Sequence, residues 1–286
     1  MTERTDEHII EAIGRCRVVI RNGEVVDVGE ARITSCPLTK KFACPVSAID
    51  RESVKANVEN RIKEWGMCTP RREVTDTRPF VGFGASELLS FGLSAGMLDA
   101  VVIASDGAGT VVVTRPALVQ GIGGRMSGLV RTVPYPEVIR RIEENGGIVI
   151  DKAHAALDQT AGVVKAYELG YSKVAVTVAL PSEAKKIRER FPGVMIFAVH
   201  VTGLNRGEAK ELASSSDLVT SCASGTIREI AGKNALLQAG VAVPVFAMTR
   251  KGKDLIIEKV RASDDPVLLR TTRLPARAGQ QPEPLV

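Results

Sequence analysis

The feature that most constrains the fold is the alternation of short apolar runs with amphipathic stretches from about residue 146 onward. Apolar runs near 148–150, 173–179, 194–199, 218–221 and 243–247 alternate with helix-like stretches near 155–169, 182–190, 206–214, 224–239 and 250–254. Runs such as Met195-Ile-Phe-Ala-Val199 are continuously apolar, as a strand covered on both faces should be. Strand and helix alternating at this spacing imply right-handed crossovers. The expected class is α/β, with a mostly parallel sheet carrying helices on both faces.

The preceding half is less regular. Residues 7 to 15 read as a short helix-like start, and Arg17 to Val28 as a β-hairpin about Asn22-Gly23. Asp50 to Glu64 reads as a helix ended by Gly66, Glu87 to Leu98 as a second, and Ala100 to Ala104 as a buried strand. The expected organisation is an N-terminal part over 1–145 with the hairpin, cysteine-bearing loops and glycine-rich loops. A parallel α/β part over 146–272 and a disordered tail over 273–286 follow. The strand at 100–104 resembles those after it, so the two parts are open to sharing one sheet.

Composition narrows the function. No apolar run approaches the ~20 residues of a membrane span, and the polar start Met1-Thr-Glu-Arg-Thr-Asp-Glu7 has no signal-peptide core. A cytoplasmic protein is expected. A net charge of +5, scattered basic residues and 4% aromatics argue against nucleic acid and are compatible with a small anionic ligand. Five cysteines in such a chain suggest metal, redox or nucleophile roles, or inert burial, rather than disulfides.

Ligands of an open α/β sheet collect at the carboxyl ends of its strands. The predicted ends bring Asp151, Lys152 and His154, then His200, then Cys222 to one edge. Cys222 falls where a strand hands over to a helix, and there the helix dipole favours a thiolate. The stretches 105–110, with Asp106, Gly107 and Gly109, and 121–128, with Gly121, Gly123, Gly124 and Arg125, resemble anion cradles. Neither has a P-loop ending or the dinucleotide spacing, and tight turns explain them better. Arg125 keeps a phosphate or carboxylate site open. Cys36, Cys44 and Cys68 lie in loops without a compact metal-binding spacing, and Cys16 reads as packing.

Several longer motifs go further. Cys36-Pro-Leu38, Gly66-Met-Cys-Thr69, Ser105-Asp-Gly-Ala-Gly-Thr-Val-Val112, Gln120-Gly-Ile-Gly-Gly-Arg125 and Asp217-Leu-Val-Thr-Ser-Cys222 together resemble the methanogenesis marker protein 8 family over about Ile9 to Val260. The resemblance implies an archaeal, anaerobic cytoplasm. It supplies no established activity and no residue role. Cys44 and the proline-rich tail fall outside the family pattern.

Three functions are expected to compete. The first is an accessory protein of methanogenesis or anaerobic one-carbon metabolism, with a methanogenic or other redox enzyme as partner. It would bind a metal or iron–sulfur centre through Cys36, Cys68 and Cys222 and assist cofactor or enzyme assembly. The second is a metal-free enzyme with Cys222 as nucleophile, His154 or His200 as base, and Arg125 with the glycine loops holding a small anion. The third is a non-catalytic subunit of a larger complex.

Overall fold

The computed structural model describes residues 6–36, 39, 45–126, 128–221, 224–240, 243–264, 266–267, 271 and 273. The chain opens with β1 (Glu7–Glu11), β2 (Arg17–Arg21) and β3 (Glu24–Val28), then α1 (Arg51–Trp65) and α2 (Ala85–Ser94). β4 (Ala100–Ser105), β5 (Gly109–Val113), α3 (Pro116–Gly123), β6 (Gly128–Arg131), α4 (Pro136–Glu144) and β7 (Ile148–Val149) follow. The rest is α5 (Gln159–Glu168), β8 (Val174–Val178), α6 (Pro181–Arg190), β9 (Met195–Ala198), α7 (Arg206–Ser215) and β10 (Leu218–Thr220). The series closes with α8 (Gly225–Asn234), β11 (Leu237–Ala239), β12 (Val245–Ala247) and α9 (Arg250–Arg261).

Two sheets organise these elements. The smaller has the order β3-β2-β1-β6, and the larger β11-β12-β10-β9-β8-β4-β5-β7. The predicted hairpin is present, with Asn22 at φ 52° and Gly23 at φ 76°, the left-handed pair a two-residue turn requires. The helix-like start is corrected. Residues 7–11 form β1, whose inward period of two buries His8 and Ile10 against β2.

The larger sheet is mixed rather than mostly parallel. The neighbours β4, β8, β9 and β10 pair in parallel, whereas β5, β7, β11 and β12 join antiparallel at the two edges. The physical reasons are local. The turn at 106–108 is too short for a crossover, so β5 folds straight back on β4. At the other edge, the helix expected to run to 239 ends at Asn234, and Leu237–Ala239 pairs with β12 instead.

β4 and β5 share this sheet with the strands of the second half, as the apolar run at 100–104 had suggested. Alternate residues supply a core on each face. Val101, Ile103 and Val111 pack with Leu88, Leu118, Val138 and Leu255 from α2, α3, α4 and α9. Val102, Val112 and Val176 pack with Val163, Ile187, Leu212 and Ile227 from α5 to α8. A third core joins the small sheet to α1 through Ile10, Val18, Val54 and Val58. α1 is closed at both ends, by an Asp50–Ser53 capping box and by Gly66 at φ 63°. No helix of the described residues is long and apolar enough to cross a membrane.

Candidate functional site

A cleft of about 690 Å³ opens between the small sheet and the carboxyl ends of β4, β8, β9 and β10. Ala104, Val178, Val199 and Thr220 are the sheet's contribution, and Glu11, Leu129 and Val130 come from β1 and β6. The parallel centre of the mixed sheet thus places a cavity where such sheets ordinarily bind ligands.

One wall is α1. Asn57, Arg61 and Trp65 repeat at helical spacing and face the cleft, while Val54, Val58 and Ile62 fill the core beneath. The Arg125 guanidinium stands over the Trp65 ring, 4.7 Å from its centroid, and pairs with the Asp76 carboxylate. Burial by itself would raise the Asp76 pKa. Hydrogen bonds from Arg78 and Arg125 outweigh it and hold the carboxyl well below the usual range. Arg61 is pushed down to about 10, first by burial and then by the like charges of Arg125 and Arg72. The buried Asn57 Oδ1 and Arg125 Nε have no hydrogen-bond partner among the described residues. An amide's O and N are assigned rather than observed, so Asn57 can turn a donor to the same place.

The other wall carries His200, which follows β9. Its Nε2 lies 2.5 Å from Glu11 Oε2, and Arg15 Nε donates to the same oxygen at 3.2 Å. Arg15 also donates to the carbonyl of Thr202 at 2.6 Å. The His200 hydrogen bond leads the causes that lower the Glu11 pKa, and burial only partly opposes it. Glu183, in the first turn of α6, faces the same cleft and accepts from the Gln159 backbone N–H at 3.2 Å. Burial raises its pKa.

Of the residues singled out from sequence, His200, Arg125, Gly123, Gly124 and Cys36 line the cleft. Asp151, Lys152 and His154 do not. His154 is exposed and bonded to Asp151 at 3.2 Å, and Lys152 pairs with Glu143 at 2.6 Å. The stretch 105–110 is no open cradle. Asp106 is wholly buried, accepting from Arg72 Nε at 2.9 Å and from the Cys68 backbone N–H at 2.6 Å. Gly107, in the turn between β4 and β5, and Gly109, at the start of β5, have φ 77° and 73° and pack beneath Tyr135 and Ala155. Gly121 and Gly123 lie in α3 rather than in a loop. Gly121 meets the backbone of Val74 and Thr75 so closely that a side chain has no room.

Cys68 is fully buried, and its thiol is pushed well above the ordinary value by desolvation, then by Asp106. Cys16 is buried in the same core, as its position before a strand suggested. Cys44 and Cys222 lie outside the described residues. Among the described residues no group of three or more His, Cys, Asp or Glu side chains is gathered as metal ligands would be.

Sequence reasoning missed Glu11, Asn57, Arg61 and Glu183. A signal for the α1 pair existed, because Asn57, Arg61 and Trp65 are polar or aromatic at four-residue spacing beside an apolar stripe. Glu11 carries none, since it belongs to a strand remote from the sheet edge it serves.

Residues 8–261 match the family described as "Uncharacterized protein conserved in archaea (DUF2099)". An uncharacterized protein of Methanocaldococcus jannaschii is 42% identical over 285 residues, spanning 98% of this chain and all of that protein. No solved structure matches. The chain belongs to this archaeal family.

Proposed function

We propose that this member of the archaeal family holds a small organic anion in its cleft, gripped at one end by Arg61 and Arg125. The observation that carries the reading is the approach of two guanidiniums to one wall, where burial and mutual repulsion disfavour the Arg61 charge. An anion bound there offsets both penalties, and a planar fork suits a carboxylate or phosphate. Trp65, Leu129 and Val130 offer apolar surface to the remainder of a metabolite-sized ligand. Calorimetry on the full chain with a panel of carboxylates and phosphate esters tests this. Saturable binding that Arg61→Ala and Arg125→Ala each weaken is expected. A panel that leaves the wild-type protein silent overturns it.

Cys36, on the cleft wall, favours a second reading. Together with the resemblance to the methanogenesis marker protein 8 family, it supports an accessory role in methanogenesis or anaerobic one-carbon metabolism. A metal or iron–sulfur centre would be held by Cys36, Cys68 and Cys222, with a redox enzyme as partner. The position of Cys36 fits such a ligand. That of Cys68 does not, because burial holds its thiol protonated and it is absent from the cleft wall. Iron and acid-labile sulfide on protein purified without oxygen decide it. Stoichiometric iron lost in Cys36→Ser supports a centre, and iron-free protein sinks it.

A further inference from the structure

Five non-glycine residues among those described hold positive φ, and two of them, Arg15 at 55° and His200 at 57°, meet on the Glu11 carboxylate. Such conformations are unfavourable for residues with a side chain and persist where surrounding structure enforces them. Gly128 is part of that enforcement. A Cβ there would lie 2.5 to 2.7 Å from Nε2, Cδ2 and Cε1 of His200, so only glycine lets the imidazole lie so close to β6.

The hydrogen bond fixes more than position. A neutral imidazole that donates Nε2–H to Glu11 keeps a bare Nδ1. Nδ1 has no hydrogen-bond partner among the described residues, and His200 lines the cleft. On the adjacent parallel strand, Val178 pairs with Ala198, so the chain leaving β8 toward Glu183 starts beside the chain leaving β9 toward His200. Two of the three carboxyls lining this cleft, Glu11 and Glu183, are driven in opposite directions. Glu11 is held ionised by His200 and Arg15, whereas burial favours the neutral form of Glu183. An ionised carboxylate that orients an imidazole and a second carboxyl that keeps its proton together furnish one site with a base and an acid.

We propose that the cleft is a proton-transfer centre: His200, oriented by Glu11, removes a proton from the bound organic anion while Glu183 donates one to it. The inference rests on the anion-binding reading and adds the class of reaction. The substrate is an anion with an acidic C–H beside a carbonyl. The C–H bond breaks and its proton passes to His200 Nδ1. Its electron pair becomes the C=C bond of an enol, and the carbonyl oxygen takes the Glu183 proton. Reverse transfers collapse the enol, so nothing is oxidised or reduced. Both groups regain their protonation through these transfers and exchange with solvent. His200 is the catalytic base, Glu183 the catalytic acid and Glu11 a positioning residue.

The test uses the full chain in deuterium oxide with 2-oxobutyrate and dihydroxyacetone phosphate. Proton NMR follows replacement of C–H by C–D, and calorimetry follows binding of the same probes. Exchange above the buffer rate is expected with at least one probe. It should fall by roughly 10²- to 10⁴-fold in His200→Gln and in Glu183→Gln, with binding retained. Glu11→Gln should lower the exchange rate at saturating probe without changing probe affinity. It should also move neutral His200 toward the Nδ1–H tautomer in its imidazole nitrogen shifts, because the carboxylate no longer claims the Nε2 proton. Glu11 and Arg15 are the charged groups facing His200, and Asp158 and Lys186 those around Glu183. Binding without exchange overturns the proton-transfer centre and leaves the anion reading standing. Absence of binding removes both. Should His200→Gln fail to fold, the imidazole nitrogen shifts of the wild-type protein decide. A protonated Nδ1 with a bare Nε2 in neutral His200 overturns the assignment.

Discussion

Arg72 and Asp106 form an ion pair from which solvent is wholly excluded, with Nε 2.9 Å from Oδ1 and neither side chain exposed. The pair ties the segment after α1 to the β4–β5 turn. Arg72 also donates to the carbonyls of Gly121 at 3.1 Å and Ile122 at 3.3 Å, at the end of α3. Asp106 is therefore a structural anchor, although the glycines around it give it the look of a ligand residue.

Truncating one partner leaves the other charge buried alone. Arg72→Ala or Asp106→Ala should each destabilise the fold by about 3–5 kcal/mol. Urea unfolding followed by circular dichroism checks this. A loss below about 1 kcal/mol would show that water reaches the abandoned charge.

Arg125 should dominate anion affinity. Hydrogen bonds to charged groups contribute about 1.5–3 kcal/mol, so Arg125→Ala should weaken binding of whichever panel anion the wild type takes by roughly 10- to 100-fold. Arg78 shares Asp76 but is exposed and does not line the cleft, so Arg78→Ala should leave affinity within about threefold. Equal losses in the two variants would mean that Asp76, and not the cleft arginine, governs binding.

His8 gives the stability a pH dependence of definite sign. It is buried between Thr132 and Tyr135, at 2.8 Å from each, and desolvation lowers its pKa below 6.5 despite Asp106 and Asp6. The unfolded chain then binds a proton more readily than the folded one. The stabilisation is complete above about pH 6.5 and declines as pH falls toward the folded value. Urea midpoints between pH 7.5 and 5 should drop less steeply in His8→Gln than in the wild type, even though the variant starts lower. Parallel slopes would exclude His8 as the source.

Thiol reactivity should separate Cys36 from Cys68. Cys36 is half-buried on the cleft wall, and Cys68 is sealed with its pKa raised. Iodoacetamide on the native protein at pH 8 should label Cys36 ahead of Cys68, leave Cys68 unlabelled until unfolding, and label Cys36 more slowly when the cleft is filled. Peptide mass spectrometry reads all three. Early labelling of Cys68 would contradict the closed core around it.

Much of this architecture was legible in the residues. The Asn22-Gly23 hairpin, α1 with its glycine stop and the strands at 100–104, 174–178 and 195–198 follow from local chemistry and periodicity. His200 and Arg125 were also legible, one as a strand-end histidine and the other as a cation beside glycines. The preference for a tight turn over an anion cradle fits 106–108. The same reading at 121–128 could not show the close helix contact at Gly121, because closely spaced glycines mark equally well a loop, a buried turn or a tight helix packing. Only the packed neighbours distinguish these.

By itself, then, the sequence determined most of the elements and their faces, though not β1, β11 or the end of α3, since propensity, capping and apolar period act within a few residues. The tertiary structure decided which strands run antiparallel, which charges meet and which face the cleft. Glu11, the last residue of β1, and His200, just beyond β9, are 189 positions apart. Their contact depends on the small sheet being laid against the edge of the large one. No local periodicity encodes that placement, which follows from the burial of three cores at once.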